Sequence, residues 1–278
     1  MNNFLILANT DKDVNLSLSN KISEYLMGKG AKATIVSDVN EHYEDLRVKE
    51  ELMKGVQAAI VLGGDGTMLR AAHSIGTYNV PYIGINLGTL GFLTEIEESN
   101  VYEALDRLLN DDFIIENRMM IEGSVKDKVF HSLNDVVITR AGFSRIIGLK
   151  VYVNNQLLDT YEADGVIVAT PTGSTGYNMS AGGPIVSPKA SAIVVTPISP
   201  HSLTSKSVVF DSTEEIRVEI MKKRKTQDTE AIVSFDGSNS IELAAGDVVN
   251  VKLSARSISL IKMYDVNFYS VLRDKIGG

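Results

Sequence analysis

The residues best suited to chemistry in this sequence are Gly63-Gly64-Asp65-Gly66-Thr67, which follow the apolar run Ala58–Leu62. The order predicts a buried strand, a tight turn and a helix start. Gly63, Gly64 and Gly66 allow close backbone approach to a ligand because no Cβ stands in the way. Free N–H groups at a helix start favour an anion such as a phosphate. Asp65 puts a carboxylate among those donors, where it repels phosphate unless it has a task. Two tasks fit: accepting a proton from an attacking hydroxyl, or holding a magnesium ion. The bland alternative is a strand-to-helix turn with Asp65 as a local N-cap. The spacing is neither G-x-G-x-x-G nor a Walker A loop, since no Lys-Ser/Thr pair follows the glycines.

A second stretch, Thr170–Pro184, is equally unusual. The β-like run Val166–Ala169 empties into Thr172, Gly173, Ser174, Thr175, Gly176, Tyr177, Asn178 and Ser180, then Gly182-Gly183. Small side chains leave room for a flat ligand, hydroxyls and N–H groups can bind it, and Tyr177 can line it. The alternative is a sheet-to-helix connection capped by Ser174 or Thr175.

Strands and helices must position these residues. Phe4–Ala8, Ala33–Val36, Ala58–Leu62 and Pro81–Asn86 read as strands, alternating with helical patterns over Val14–Gly28, Glu41–Lys54, Thr67–Ile75 and Ser99–Asn110, the last with Ser99 as N-cap. Such alternation predicts a Rossmann-like α/β domain with a mostly parallel sheet over residues 1–112. Ligands in such sheets sit beyond the carboxyl ends of the strands, where Gly63–Thr67 and a second glycine loop, Leu87–Leu93, both fall. From 113 to 265 closely spaced β-segments predict an all-β, sandwich-type domain. Val129–Thr139 reads there as one strand, Val248–Leu253 and Ser257–Lys262 as two, and Asn154-Asn155 as a two-residue hairpin turn. Residues 266–278 end in a helix, Asn267–Lys275, that can return to the first domain.

Composition sets the bounds. The chain has 278 residues, is 44% hydrophobic and 22% charged, and carries a net charge of −8. That balance supports a sizeable core and disfavours nucleic acid or an anionic membrane as partner. There are no cysteines, so disulfides and Cys-based metal sites are excluded. With four His and no Cys, no metal-ligand cluster is expected. The start reads as a strand rather than a signal peptide, no segment reaches the ~20 apolar residues needed to span a bilayer, and a cytoplasmic location is expected. The basic run Lys222-Lys223-Arg224-Lys225 reads as a solvated hairpin loop. No Gly-x-Ser-x-Gly elbow appears, which removes the Ser/His/Asp hydrolase reading.

Gly-Gly-Asp-Gly-Thr resembles the motif shared by NAD kinases, diacylglycerol kinases and sphingosine kinases. Only the NAD kinases are similar to the later stretches as well, in the same order. These are Asn134-Asp135, Asp164-Gly165, Thr170–Tyr177, the Thr196–Leu203 loop with His201, and Phe235-Asp236-Gly237. The chain departs from that pattern at Gly176, where the family usually has Ala, and at Glu162, where it often has a basic residue. The resemblance implies phosphoryl transfer from ATP or polyphosphate to the 2′-hydroxyl of the adenosine ribose of NAD. It implies Asp65 as the proton acceptor, and phosphate at Gly63, Gly64, Gly66 and Thr67 with Arg70 or Arg145 assisting. Adenine is expected near Asn134, Thr175, Gly176, Tyr177 and Ser180, with Asn178 in the same loop. Asp135 suits ribose hydroxyls, and Asp164 is expected near the dinucleotide. Magnesium is expected with ATP, and a homodimer or homotetramer as the assembly. Two alternatives stay open: a lipid or sugar kinase using the same glycine loop, and a catalytically idle NAD-binding sensor.

Overall fold

A computed structural model describes residues 1–37, 50–88, 90–142, 146–202, 204–222, 231–263 and 268–276. Arg145 and the basic residues 223–225 therefore lie outside the described residues, as does most of the predicted helix Glu41–Lys54. The chain forms two compact units, Met1–Asn117 with Ile258–Gly278, and Arg118–Ser257.

The first unit contains β1 (Asn3–Ala8), α1 (Ser17–Gly28), β2 (Lys32–Val36), α2 (Glu50–Met53), β3 (Ala58–Gly63), α3 (Asp65–Ile75), β4 (Tyr82–Asn86), β5 (Ile96–Glu97) and α4 (Val101–Leu109). β1 pairs in parallel with β2 and β3, β3 with β4, and β4 with β5. Side chains alternate across this sheet. Phe4, Ile6, Ile60, Leu62, Ile83 and Ile85 share one buried cluster with Ile22 and Leu26 of α1 and Leu105 and Leu108 of α4. On the opposite parity Gly84 lies against Met68 of α3, close enough that a Cβ there would stand 2.8 Å from the Met68 methyl. Cover on both faces explains why β1 and β3 read as unbroken apolar runs.

Three local expectations change. α3 begins at Asp65, not Thr67, and its N-cap is Gly64 in extended conformation, so Asp65 is a first-turn residue and not the cap. Val14–Leu16 forms a separate turn before α1, with left-handed Asn15 and Leu16 at φ 56° and 54°. Ser99 does not cap α4: a 3₁₀ turn over Glu98–Asn100 leads in, and Asn100 is the N-cap without a side-chain bond.

The second unit takes up the chain within β6 (Ile114–Val125). It continues through β7 (Lys128–Ser132), β8 (Asp135–Arg140), β9 (Ile147–Val153), β10 (Gln156–Ala163), β11 (Gly165–Ala169), α5 (Tyr177–Ser180), β12 (Ala192–Ile198), β13 (Val208–Asp211), β14 (Ile216–Ile220), β15 (Ala231–Phe235) and β16 (Ser238–Leu243). The chain returns to the first unit within β17 (Val248–Lys262) and ends in α6 (Phe268–Ile276). One antiparallel sheet has the order β13-β12-β11-β8-β15-β16. Its Val136, Ile138, Val166 and Val168 share a buried cluster with Leu149 and Val151 of β9, Val218 of β14 and Val249 of β17, the packing of a β-sandwich. Asn154 and Asn155 have φ of 46° and 67°, as a two-residue hairpin turn requires. β17 is one strand where two were expected, because Ser254–Arg256 interrupts the apolar alternation but not the extended backbone. The reverse holds at Val129–Thr139, which divides into β7 and β8 around Leu133-Asn134. Among the described residues no helix is long and apolar enough to cross a membrane.

Candidate functional site

In the first unit, the loops after β1, β3 and β4 leave the carboxyl ends of neighbouring parallel strands. Asp65 opens α3, and its carboxylate accepts from the Phe92 N–H at 2.8 Å, the Leu93 N–H at 3.0 Å and the Thr94 hydroxyl at 3.4 Å. Gly91 makes this possible, since a Cβ at that position would overlap the Asp65 carboxylate. A carboxylate offers about four lone-pair sites. Two bonds fall on Oδ1 and one on Oδ2, so Oδ2 keeps the capacity to accept from a substrate hydroxyl.

Thr67 faces inward. Its hydroxyl is buried and accepts from Asn9 Nδ2 at 3.1 Å and Arg70 Nη2 at 3.2 Å. Its N–H bonds to the Gly64 carbonyl at 2.9 Å. A Cβ at Gly63 would overlap the Thr67 side chain, so that glycine permits helix-to-strand packing. Gly63 and Thr67 thus have an architectural role, seating the helix on the strand. Gly64 and Gly66 remain at the open start of α3, with Arg70 Nη1 3.8 Å from where a Gly66 Cβ would stand. Arg70 Nε is buried and has no hydrogen-bond partner.

Sequence reasoning missed Lys12. Its Nζ would stand 3.3 Å from a Cβ on Gly64 and 3.6 Å from one on Gly88, so it is directed at both glycine loops. The available signal was its place in the loop after the first strand, on the edge where the other two loops emerge.

In the second unit, Asp236 organises the site. Its carboxylate accepts the backbone N–H groups of Leu133, Asn134 and Asp135 at 2.7, 2.8 and 2.9 Å. Those amides leave the sheet ladder for the carboxylate, which is why β7 and β8 separate here. Asp236 and Gly237 sit in left-handed turn conformation at φ 49° and 70°, so the plain hairpin turn and the site turn are the same feature. From the other side, the Thr170 N–H donates to the Asn134 carbonyl at 2.8 Å, and Thr170 Oγ1 donates to the Leu133 carbonyl at 2.5 Å. A Cβ at Gly173 would overlap the Asn134 carbonyl. Asn134-Asp135 and the Thr170–Ser180 loop are therefore brought together. Asn134 Oδ1 is buried with no partner, and its amide lies beside Gly176. A buried acceptor of that kind calls for a donor, from an ordered water or from a ligand. Burial, with the charge of Asp236 beside it, pushes the Asp135 carboxyl up to about 7.

Within the loop, Tyr177 is 45% exposed and Ser180 is exposed, while Thr175 Oγ1 donates to the Thr172 carbonyl at 3.3 Å. Asn178, expected among the binding residues, is fully buried. Its amide donates to the Ser174 and Pro184 carbonyls and accepts from the Thr196 hydroxyl, which ties it into the loop. Ser174 bonds within the loop too, donating to the Pro171 carbonyl at 2.6 Å, so neither it nor Thr175 caps α5. Buried Arg118 supports the loop through Thr172 at 3.3 Å. Asp164 lies elsewhere: it pairs with Arg140 at 2.8 Å, at the opposite end of β8 and β11 from Asn134 and Thr170. His201 is exposed, and its N–H donates to the Glu162 carbonyl at 2.8 Å.

Comparison with known proteins resolves the family. The family model of the ATP-NAD kinase N-terminal domain matches residues 4–113, and that of the C-terminal domain matches residues 133–263. The chain belongs to the NAD kinase family. It is 44% identical to an NAD kinase of Lachnoclostridium phytofermentans, covering 100% of this chain and 99% of that protein. It is also 44% identical to an NAD kinase of Agathobacter rectalis, with the same coverage. Among solved structures, it matches an NAD kinase from Archaeoglobus fulgidus in complex with ATP at TM-score 0.78, 25% identity, 98% of this chain and 99% of that one. The fold is shared with yeast NADH kinase complexed with NADH at TM-score 0.80, 22% identity, 99% of this chain and 88% of that one. Like the rest of the family, this chain is an NAD kinase enzyme that phosphorylates NAD to NADP.

Proposed function

We propose that the chain transfers the γ-phosphoryl group of ATP to the 2′-hydroxyl of the adenosine ribose of NAD. The observation that carries this reading is the full-length 44% identity with an NAD kinase. Asn134 Oδ1 receives the adenine amino group, Tyr177 lines the base, and Asp135 and Ser180 offer polar atoms to the nucleoside. Asp65 Oδ2 takes the 2′-hydroxyl proton as the O2′–Pγ bond forms and the bond from Pγ to the β,γ-bridging oxygen breaks. ADP leaves with that oxygen. Phosphates lie at Gly64, Gly66 and Arg70, while Gly63, Thr67 and Asn178 hold the scaffold. Phosphoryl transfer depends mainly on positioning and charge stabilisation, so no covalent intermediate is needed.

Magnesium bound to the nucleotide would neutralise phosphate charge, and Asp65 is the carboxylate of the glycine loop that could face it. Polyphosphate offers the same anhydride chemistry and is a second donor in this reading. Asp164, paired with Arg140, acts at the far part of the dinucleotide, and Arg145 offsets pyrophosphate charge. The assembly is a homodimer or homotetramer, and the setting cytoplasmic. A lipid or sugar kinase would share the first glycine loop but not the match over residues 133–263. The test is purified protein with NAD, magnesium and either ATP or polyphosphate, read by an NADP-specific dehydrogenase, with diacylglycerol and fructose 6-phosphate as rival acceptors. NADP formation with NAD alone is expected. Phosphorylation of a rival acceptor in preference to NAD would overturn the reading, and NAD binding without NADP would point to an idle sensor.

A further inference from the structure

We infer that Lys12 is a phosphate-binding residue for the phosphoryl donor, completing a cradle that the glycine loops only begin. The inference rests on the kinase reading above and concerns residues of the first unit alone. Lys12 Nζ faces Gly64 and Gly88, at 3.3 and 3.6 Å from their would-be Cβ positions. Gly64 precedes the first turn of α3, and Gly88 belongs to the loop whose later residues hold Asp65. Among the described residues the Lys12 ammonium has no carboxylate partner.

The loop carrying Lys12 is built to stay in place. The Lys12 and Asp13 N–H groups both donate to the Asn9 carbonyl, at 3.0 and 2.8 Å. Asn9 Nδ2 reaches Thr67 in α3, tying this loop to the glycine motif. Buried Asp13 accepts from the Leu18 and Ser19 N–H groups at 2.8 and 2.9 Å, anchoring the loop to α1. Between these anchors Asn15 and Leu16 adopt left-handed conformations at φ 56° and 54°. Left-handed backbone at a branched, non-glycine residue persists only where the surroundings over-determine it. An exposed cation lying over two side-chain-free glycines, beside the N–H groups of a helix start, matches a phosphate chain. Lysine serves such a chain as a point charge with three donors.

The experiment compares wild type with Lys12→Met and Lys12→Arg. Calorimetry measures binding of ATP and of inorganic triphosphate separately, with no NAD present. Steady-state kinetics then varies donor and NAD in turn. Loss of one charge-assisted contact predicts that Lys12→Met weakens both phosphate ligands by about ten- to a hundredfold. The KM for ATP should rise in step, the KM for NAD should stay close to that of wild type, and Lys12→Arg should recover part of the loss. Salt should weaken ATP binding less in Lys12→Met than in wild type, because the screened charge is gone. Unchanged affinity for both ligands would overturn the inference. So would a loss confined to ATP, or a parallel rise in both KM values with a lowered melting temperature. Binding is read without turnover, so wild type that binds triphosphate through Lys12 but makes no NADP would count against the kinase reading alone.

Discussion

In the proposed reaction Asp65 combines two duties in one side chain. Its carboxylate holds the amides of Phe92 and Leu93, and Oδ2 retains capacity for a substrate proton. Asp65→Asn keeps one acceptor and replaces the other oxygen by a donor that faces an N–H group. We expect its turnover to fall by ~10²–10⁴-fold, the usual cost of losing a positioned general base. Single-turnover NADP formation measures this, and near-normal rates would remove Asp65 from the chemistry. Asp135 provides a second residue-scale test. Its carboxyl, pushed up to about 7 by burial and by Asp236, titrates higher in the folded chain than in the unfolded one. The folded state therefore binds the extra proton between about pH 4 and pH 7, and stability declines as pH rises through that window. Asp135→Asn removes the titration. Its melting temperature relative to wild type should rise from pH 5 to pH 8, and a pH-independent difference would contradict the assignment.

At the scale of elements, each site rests on a carboxylate that receives backbone amides from a distant loop. In the first unit Asp65 draws in the loop after β4. In the second, Asp236 gathers residues 133–135 and so divides a stretch that reads as one strand into β7 and β8. The glycines that matter are those where another group occupies the Cβ position, notably Gly91 against Asp65 and Gly173 against Asn134. Gly91→Ala must displace the Asp65 carboxylate. A shift of about 1 Å in a catalytic group can lower a rate by ~10²-fold, and we expect kcat to fall by about that much. Measuring kcat beside the circular dichroism spectrum checks it; a wild-type kcat would show that the loop can yield without cost. Gly176, the departure from the family pattern, differs. It has an ordinary negative φ of −96°, and a Cβ would stand 3.3 Å from the Gly173 carbonyl and 3.7 Å from Asn134 Nδ2. Gly176→Ala should fold normally and bring a methyl to the Asn134 amide, changing the KM for NAD by no more than a few-fold.

For the whole molecule, the chain leaves the first unit within β6 and returns within β17, so residues distant in sequence complete that unit. Leu260 pairs with Tyr82, and Glu95 accepts from the Met263 N–H at 2.9 Å and from Lys262 at 2.8 Å. The last helix adds Phe268, whose ring lies 5.7 Å from that of Phe92, with Lys275 over the same ring at 5.4 Å. Phe92 is the residue whose N–H holds Asp65. A chain ending at Met263 should therefore lose activity through the Asp65 loop. An aromatic pair contributes about 0.5–1.5 kcal/mol beyond area burial, so the loss of stability should be modest while hydrogen exchange at Phe92 and Leu93 accelerates. Unchanged exchange there would show that the terminal helix does not support the loop.

The sequence by itself determined the division into α/β and all-β parts, the parallel character of the first sheet and the order of the functional motifs. Periodicity and glycine placement are local properties, and they survive whatever the rest of the chain does. Tertiary structure alone decided that Lys12 faces Gly64 and Gly88, that Asp236 clasps residues 101 to 103 positions earlier, and that Asn178 and Thr67 face inward. It also separated Asp164 from Asn134 by the length of a strand. These outcomes depend on which loops emerge side by side from neighbouring strands, and no window of adjacent residues contains that information.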